Sequence, residues 1–452
     1  MKNRQLKLSD YLIIASLIFG MFFGAGNLIF PVHLGQLAGG NWITAALGFL
    51  LSGVCIPLLA ILAISATKSG GIYDLAKPIS PRYALIFLIL VHATLGPLFA
   101  TPRTATVSYA LGIEPYIPKE FNSLALAIYS ALFFLIVYAF SVRQSKILSS
   151  IGKLLNPLFL GLLLIIFLLG IFSPMGNSMA GKPTTDYITA AFANGFLEGY
   201  NTMDALAALA FGITIITAIK MMGVKDAKQI SLATAKAGTF GILGIALVYV
   251  ALIFLGATSL NQFKLADNGG VTLTQISHYY LGNLGNVLLA LLATVGCLTT
   301  AMGLVIAFAQ DFHQRFPRFS YKQFLIFNCF LSFLVANLGL DLIITWSIPV
   351  LMFLYPLSIS LIILGLTSSM FDNDKLVYRI TTIFTLVPAI FDMLKALPPV
   401  LSETTLVQIL LDFAQKWLPL FSIGFAWLPF SILGFILGLG YHKLSRRTQI
   451  EN

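Results

Sequence analysis

The chain has 452 residues, 58% of them apolar and 10% charged, with 27 Lys and Arg against 17 Asp and Glu and a mean hydropathy of +0.91. Soluble globular proteins are nearer about 45–50% apolar and about 25% charged, so there is too little polar surface here to solvate a ball of this size. A water-soluble enzyme is excluded, and so is a disordered chain, which needs the opposite composition.

Uncharged apolar runs between charged or Pro/Gly-rich interruptions predict twelve membrane spans: 10–33, 41–66, 83–111, 121–140, 150–172, 187–219, 230–257, 279–310, 321–338, 342–368, 378–397 and 418–441. Tyr11 to His33 is longer than the core of a secretion signal and ends without a small-x-small cleavage site, so it reads as a retained first span. The runs are too long and too continuously apolar for barrel strands, which leaves an all-α integral membrane protein. The eleventh span is unusual in holding Asp392 and Lys395 before Pro398-Pro399.

Placing the N-terminus inside puts 21 basic residues in the inner segments. Only Lys119, Lys182, Lys264, Lys395 and Lys416 fall outside, and Arg103 lies within a span. The excess of basic residues therefore reports orientation, with both termini cytoplasmic, and not a nucleic acid partner. The longest polar excursions, 257–279 and 397–417, fall outside. Cys55, Cys297 and Cys329 lie in apolar runs with no C-x-x-C spacing, so neither a disulfide framework nor a thiolate metal site is indicated.

The first span carries Gly20-Met21-Phe22-Phe23-Gly24-Ala25-Gly26-Asn27-Leu28-Ile29-Phe30-Pro31 at mid-depth. Gly20-x-x-x-Gly24 alone is a common helix-packing face. With Gly26, Asn27 and Pro31 added, the pattern predicts a helix that breaks, freeing N–H groups for a carboxylate and carbonyls for a cation. The sixth span holds Asn194-Gly195-Phe196-Leu197-Glu198-Gly199-Tyr200-Asn201-Thr202-Met203-Asp204 between apolar flanks. Its alternative is an external loop with Asp204 capping a shorter helix, but 205–219 is short for a full span, which favours a second break. Two interrupted helices five apart are the sequence mark of a transporter built from inverted repeats.

In the eighth span Gly296, Thr299 and Thr300 share one helical face. Intramembrane threonines often only bond their own helix. Opposite a broken first span, the same hydroxyls would complete an all-oxygen cage suited to a hard cation. Arg103, in Thr101-Pro102-Arg103-Thr104, needs a carboxylate or carbonyl partner, as an outer-gate ion pair or a structural tie. His92 reads as a packed or hydrogen-bonded residue and not a metal ligand. No nucleotide-binding loop and no H-E-x-x-H is present, and a Ser-His-Asp set cannot be proposed from spacing. A channel would show repeated filter loops. An intramembrane enzyme would need a cluster such as Asp204 with His92, which the spacing does not suggest.

FGAGNLIFP in the first span, GFLEGYNTMDALA in the sixth and TPRTA in the third resemble the bacterial branched-chain amino acid:cation symporters, over essentially the whole chain. The resemblance implies a cytoplasmic-membrane carrier, not an enzyme, importing leucine, isoleucine or valine with sodium. It also implies the five-plus-five inverted repeat of the neurotransmitter:sodium symporters, with repeats at 10–172 and 187–368 and two extra helices at 378–441. On that pattern Gly24, Ala25, Gly26 and Asn27, with Glu198, Gly199, Tyr200, Asn201 and Thr202, would hold the substrate. Carbonyls of Gly20, Phe23 and Gly296 and the hydroxyls of Thr299 and Thr300 would hold sodium. Proton coupling through Glu198 or Asp204, or another amino acid as cargo, is the alternative. No obligate protein partner is evident.

Overall fold

The computed structural model describes residues 6–142, 146–224 and 226–451. Of the basic residues counted for orientation, Lys2, Arg4, Arg143 and Lys225 lie outside the described residues. Every regular element among the described residues is a helix.

Helices α1 (Leu8–Phe22) and α2 (Gly26–Ala38) form the first span, interrupted at 23–25. In the second, α3 (Trp42–Leu50) passes into α4 (Ile56–Ala66) through one wide turn of π-helix, Leu51–Cys55. A short α5 (Ile72–Ala76) precedes α6 (Pro81–Ala93) and α7 (Ala100–Gly112). Those two join across Thr94–Leu98, where Pro97 has no N–H and Gly96 leaves helical geometry. The first half of the chain ends with α8 (Asn122–Val142) and α9 (Lys146–Phe172).

After α10 (Thr185–Thr189), the sixth span is α11 (Ala191–Gly199), a tight turn at Tyr200–Thr202, and α12 (Asp204–Met221). Helix α13 (Ala227–Ser259) is continuous. Helix α14 (Gly269–Arg315) bends sharply at Gly282, whose φ of +60° glycine adopts without strain. Then come α15 (Tyr321–Ala336), α16 (Leu340–Thr367), α17 (Lys375–Lys395), the short α18 (Pro399–Ser402), α19 (Thr405–Trp417) and α20 (Trp427–Glu451).

Among the described residues, eight helical stretches are long and apolar enough to cross a bilayer; Leu8–Gly20, Leu160–Phe172 and Tyr321–Ala336 are shorter apolar helices. The starts are set by local chemistry. Ser80 accepts from Tyr83 N ahead of Pro81, Asp226 accepts from Gln229 N, and Ser320 with Gln323 forms a reciprocal cap. Leu132 and Leu135 on α8 are more than half exposed, apolar surface of the kind a bilayer covers.

Three expectations change. The last span starts at Trp427 and not at 418, because 418–426 is a turn in which Leu420 and Gly424 take left-handed backbone. The excursion at 257–279 is not simply a polar loop: 269–281 is helical, capped by Asn268, which accepts from Gly270 N and Val271 N. The 397–417 excursion contains α19, whose Leu406, Ile409, Phe413 and Trp417 form one exposed apolar face, as in a helix lying in a membrane interface.

Candidate functional site

At the first break, Gly24 N–H would donate to the Gly20 carbonyl if the helix continued. It donates instead to Asn27 Oδ1 at 2.8 Å, leaving that carbonyl without its helical donor. Asn27 N and Leu28 N turn to Gly24 O and Ala25 O, at 3.2 and 3.3 Å. The Gly26 N–H, at the start of α2, has no backbone acceptor among the described residues.

This break forms one wall of a cavity of about 1190 Å³. Gly20, Phe23, Gly24 and Ala25 line one side, Gly296, Thr299 and Thr300 of α14 the other, and Ala207 and Phe211 of α12 lie between. A Cβ added at Gly20 or Gly296 would meet nothing within 4 Å, so neither glycine is there to let helices touch. At Gly24 an added Cβ would lie 3.2 Å from Thr300 Cγ2, so the break and α14 do approach closely at that level. The Thr299 hydroxyl donates to Gly296 O at 2.8 Å, and its oxygen keeps capacity as an acceptor.

The second break is filled. Ser52 Oγ donates to Phe196 O at 2.6 Å, Thr202 Oγ1 to Gly199 O at 2.9 Å, and Arg103 Nη1 to Asn201 O at 2.7 Å. Arg103, 2% exposed, also donates to Ser347 Oγ at 2.9 Å and lies 4.8 Å above the Phe30 ring. Its partners are thus a carbonyl and a hydroxyl; no carboxylate is within ion-pair distance among the described residues. The Tyr200 ring stacks on Tyr355 at 4.0 Å, and Gly199 packs against the Phe49–Gly53 backbone. Glu198 accepts from Asn201 Nδ2 at 3.2 Å. Glu198, Gly199 and Tyr200 are therefore beside the break but off the cavity wall, while Gly24 and Ala25 are on it. The external-loop alternative for 194–203 does not hold, since α11 is helical to Gly199.

Asn27 joins the two breaks. Its Nδ2 donates to Asp204 Oδ2 at 2.8 Å and to the Tyr249 hydroxyl, which itself donates to Asp204 Oδ2 at 2.8 Å. Little in the sequence singles out Tyr249, a lone phenol in the apolar run 247–251. His92 Nε2 meets Asp311 Oδ2 at 2.8 Å among the rings of Phe211, Phe308 and Phe312, a hydrogen-bonded histidine as expected.

Contacts between loops fall into two groups. On one side Thr184 N donates to Leu37 O, Asn268 Nδ2 to Asp341 Oδ1 and Lys395 Nζ to Phe421 O. On the other Arg379 Nε donates to Ile79 O and the Arg315 guanidinium lies over Tyr73. The cavity reaches towards the second group through Leu12 and Gln310. Towards the first it is covered: Gln36 Oε1 accepts from Ala266 N and Thr272 Oγ1, and His33 Nε2 pairs with Ala266 O.

Apolar helices broken around a cavity are the arrangement expected of a membrane transporter. The fold is similar to that of Mhp1 in its inward-facing conformation (TM-score 0.60, 13% identity, 97% of this chain and 91% of that one). It is also similar to MhsT in complex with L-phenylalanine (TM-score 0.57, 16% identity, 96% and 99%). The family described as "Branched-chain amino acid transport protein" matches residues 7–445. Among relatives, the branched-chain amino acid permease BrnQ of Lactobacillus delbrueckii subsp. lactis is 42% identical over 440 residues, 97% of this chain and 98% of that protein. BraB of Bacillus subtilis, also a branched-chain amino acid permease, is 40% identical over 438 residues, 96% of each. The chain belongs to the branched-chain amino acid transport family.

Proposed function

We propose that this protein imports leucine, isoleucine or valine across the bacterial cytoplasmic membrane by symport with sodium. Sodium is cargo here as much as the amino acid is. The observation that carries the reading is the cavity with the freed Gly20 carbonyl on one wall and Thr299 and Thr300 on the other. Carbonyls of Gly20, Phe23 and Gly296 with the two hydroxyls make an all-oxygen donor set of the kind a hard cation takes. The substrate carboxylate lies at the start of α2, on N–H groups of Ala25 and Gly26, where the helix dipole favours an anion. Asn27 and the Glu198–Thr202 turn flank the ammonium end.

Twelve spans, with both termini cytoplasmic, arrange the first ten as two inverted repeats, 10–172 and 187–368; 378–441 is added outside them. The basic-residue asymmetry supports this orientation. With that orientation the cavity opens inwards and the 257–281 segment closes the outer side, one end of an alternating-access cycle. Ion binding favours the substrate-ready state only by binding that state better, so leucine and sodium must raise each other's affinity by the same factor.

Proteoliposomes containing the purified protein test the reading through radiolabelled leucine uptake under an inward sodium gradient, an inward proton gradient, or neither. Accumulation driven by sodium alone is expected. Accumulation driven by protons alone would replace sodium coupling, and no leucine flux in any arm would overturn the substrate.

A further inference from the structure

We infer that Asp204 is the counter-charge for the ammonium group of the amino acid, so that it selects amino acids over analogues lacking the amine. The inference rests on the transport reading above. Asp204 is the first residue of α12, and only 2% of it is exposed. Two neutral donors converge on Oδ2, the Asn27 amide and the Tyr249 phenol. No basic side chain lies within ion-pair distance among the described residues.

A buried carboxylate held only by neutral donors carries a charge that its surroundings do not balance. The nearby guanidinium does not supply the balance. Arg103 is committed to Asn201 O and Ser347 Oγ and makes no contact with Asp204. A cation arriving from outside the protein would complete it.

Position indicates which cation. Ala207 and Phe211 follow Asp204 by three and seven residues, on the helix face that lines the cavity, so Asp204 stands one turn beyond its closed end. Asn27 ties it to the turn whose Gly24 N–H the same side chain holds. In an α-amino acid the ammonium and carboxylate are two bonds apart. A carboxylate seated at the start of α2 therefore brings its ammonium to the strand of contacts between Asn27 and Asp204. The Thr299–Thr300 hydroxyls belong to the opposite wall.

The test titrates the purified full-length protein with leucine, with 4-methylpentanoate (the same skeleton without the amine) and with sodium, reading ligand-induced thermal stabilisation. Wild-type protein should prefer leucine strongly. Asp204→Asn should weaken leucine by about 10- to 150-fold and leave 4-methylpentanoate within about threefold, within the factor-of-ten scale of a single hydrogen bond, so the preference collapses. Asp204→Glu should restore part of it. Tyr249→Phe, a milder change that keeps the ring, should weaken leucine alone by about 2- to 10-fold, and stands in if the Asp204 variants do not fold. Equal weakening of both ligands, or an unchanged preference, would overturn the inference. So would a raised sodium requirement with the preference intact, which would assign Asp204 to the coupling ion. A wild-type protein that ignores leucine would instead overturn the transport reading itself.

Discussion

At the first break Gly24 N–H turns to the Asn27 side chain and the Gly20 carbonyl loses its donor, whereas at the second Ser52, Thr202 and Arg103 supply donors to Phe196, Gly199 and Asn201. Both segments are glycine-bearing interruptions of an apolar helix. One is left with backbone groups facing a cavity; the other has its freed groups satisfied by neighbouring helices. An unpaired backbone group at membrane depth is costly; the first break keeps such groups on a cavity wall, and the second has them paired by neighbouring helices.

The two breaks should differ most at Gly26. A Cβ there would sit 3.3 Å from the Phe30 ring and 3.5 Å from Asn201 O, between the two breaks. Gly26→Leu should abolish leucine uptake in proteoliposomes while the protein still inserts and purifies. Normal transport would mean that the first break only packs helices.

A pair of alanine substitutions separates the two breaks. At Gly199 an added methyl would lie 3.0 Å from Phe49 O and 3.2 Å from Gly53 N, atoms of the neighbouring backbone. Overpacking of this kind costs about 1–3 kcal/mol, so Gly199→Ala should lower the melting temperature in detergent. Gly20→Ala, which meets nothing within 4 Å, should leave it unchanged and affect only ligand binding. The reverse ordering would exchange the roles given to the two breaks.

Smallest should be Tyr200→Phe. The ring is stacked on Tyr355, and the hydroxyl is buried with no hydrogen-bond partner among the described residues. Removing an unpaired hydroxyl and keeping the ring should cost less than about 0.5 kcal/mol, with leucine affinity unchanged. A loss of transport would place that hydroxyl in contact with substrate.

Both breaks were legible because glycines, amides and acids stand out in a run of hydrocarbon side chains. Their difference was not, because it is made by distant residues: Ser52 and Arg103 lie far from Gly199 in sequence, and a π turn at Leu51–Cys55 brings Ser52 to the Phe196 carbonyl. Gly24 and Gly199 look alike until those neighbours are known. Tyr249 was missed for a similar reason, as a tyrosine in an apolar helix tells nothing about which carboxylate it meets. The 269–281 helix and α19 escaped because surface helices mix polar and apolar residues, and a search for unbroken apolar runs reads them as loops. The late start of α20 follows from left-handed backbone at Leu420, a non-glycine residue that gives no warning.

Sodium binding between the open break and α14 is tested most directly by the sodium concentration needed for half-maximal leucine binding. Thr300→Ala deletes one oxygen from that set, a loss of about 1–3 kcal/mol. The half-saturating sodium concentration should therefore rise about 5- to 150-fold, with leucine affinity at saturating sodium changing much less. Thr299→Ala should act in the same direction, although its hydroxyl already donates to Gly296 O. If both variants keep the wild-type sodium dependence, the two threonines do no more than bond their own helix and the cation site is not there.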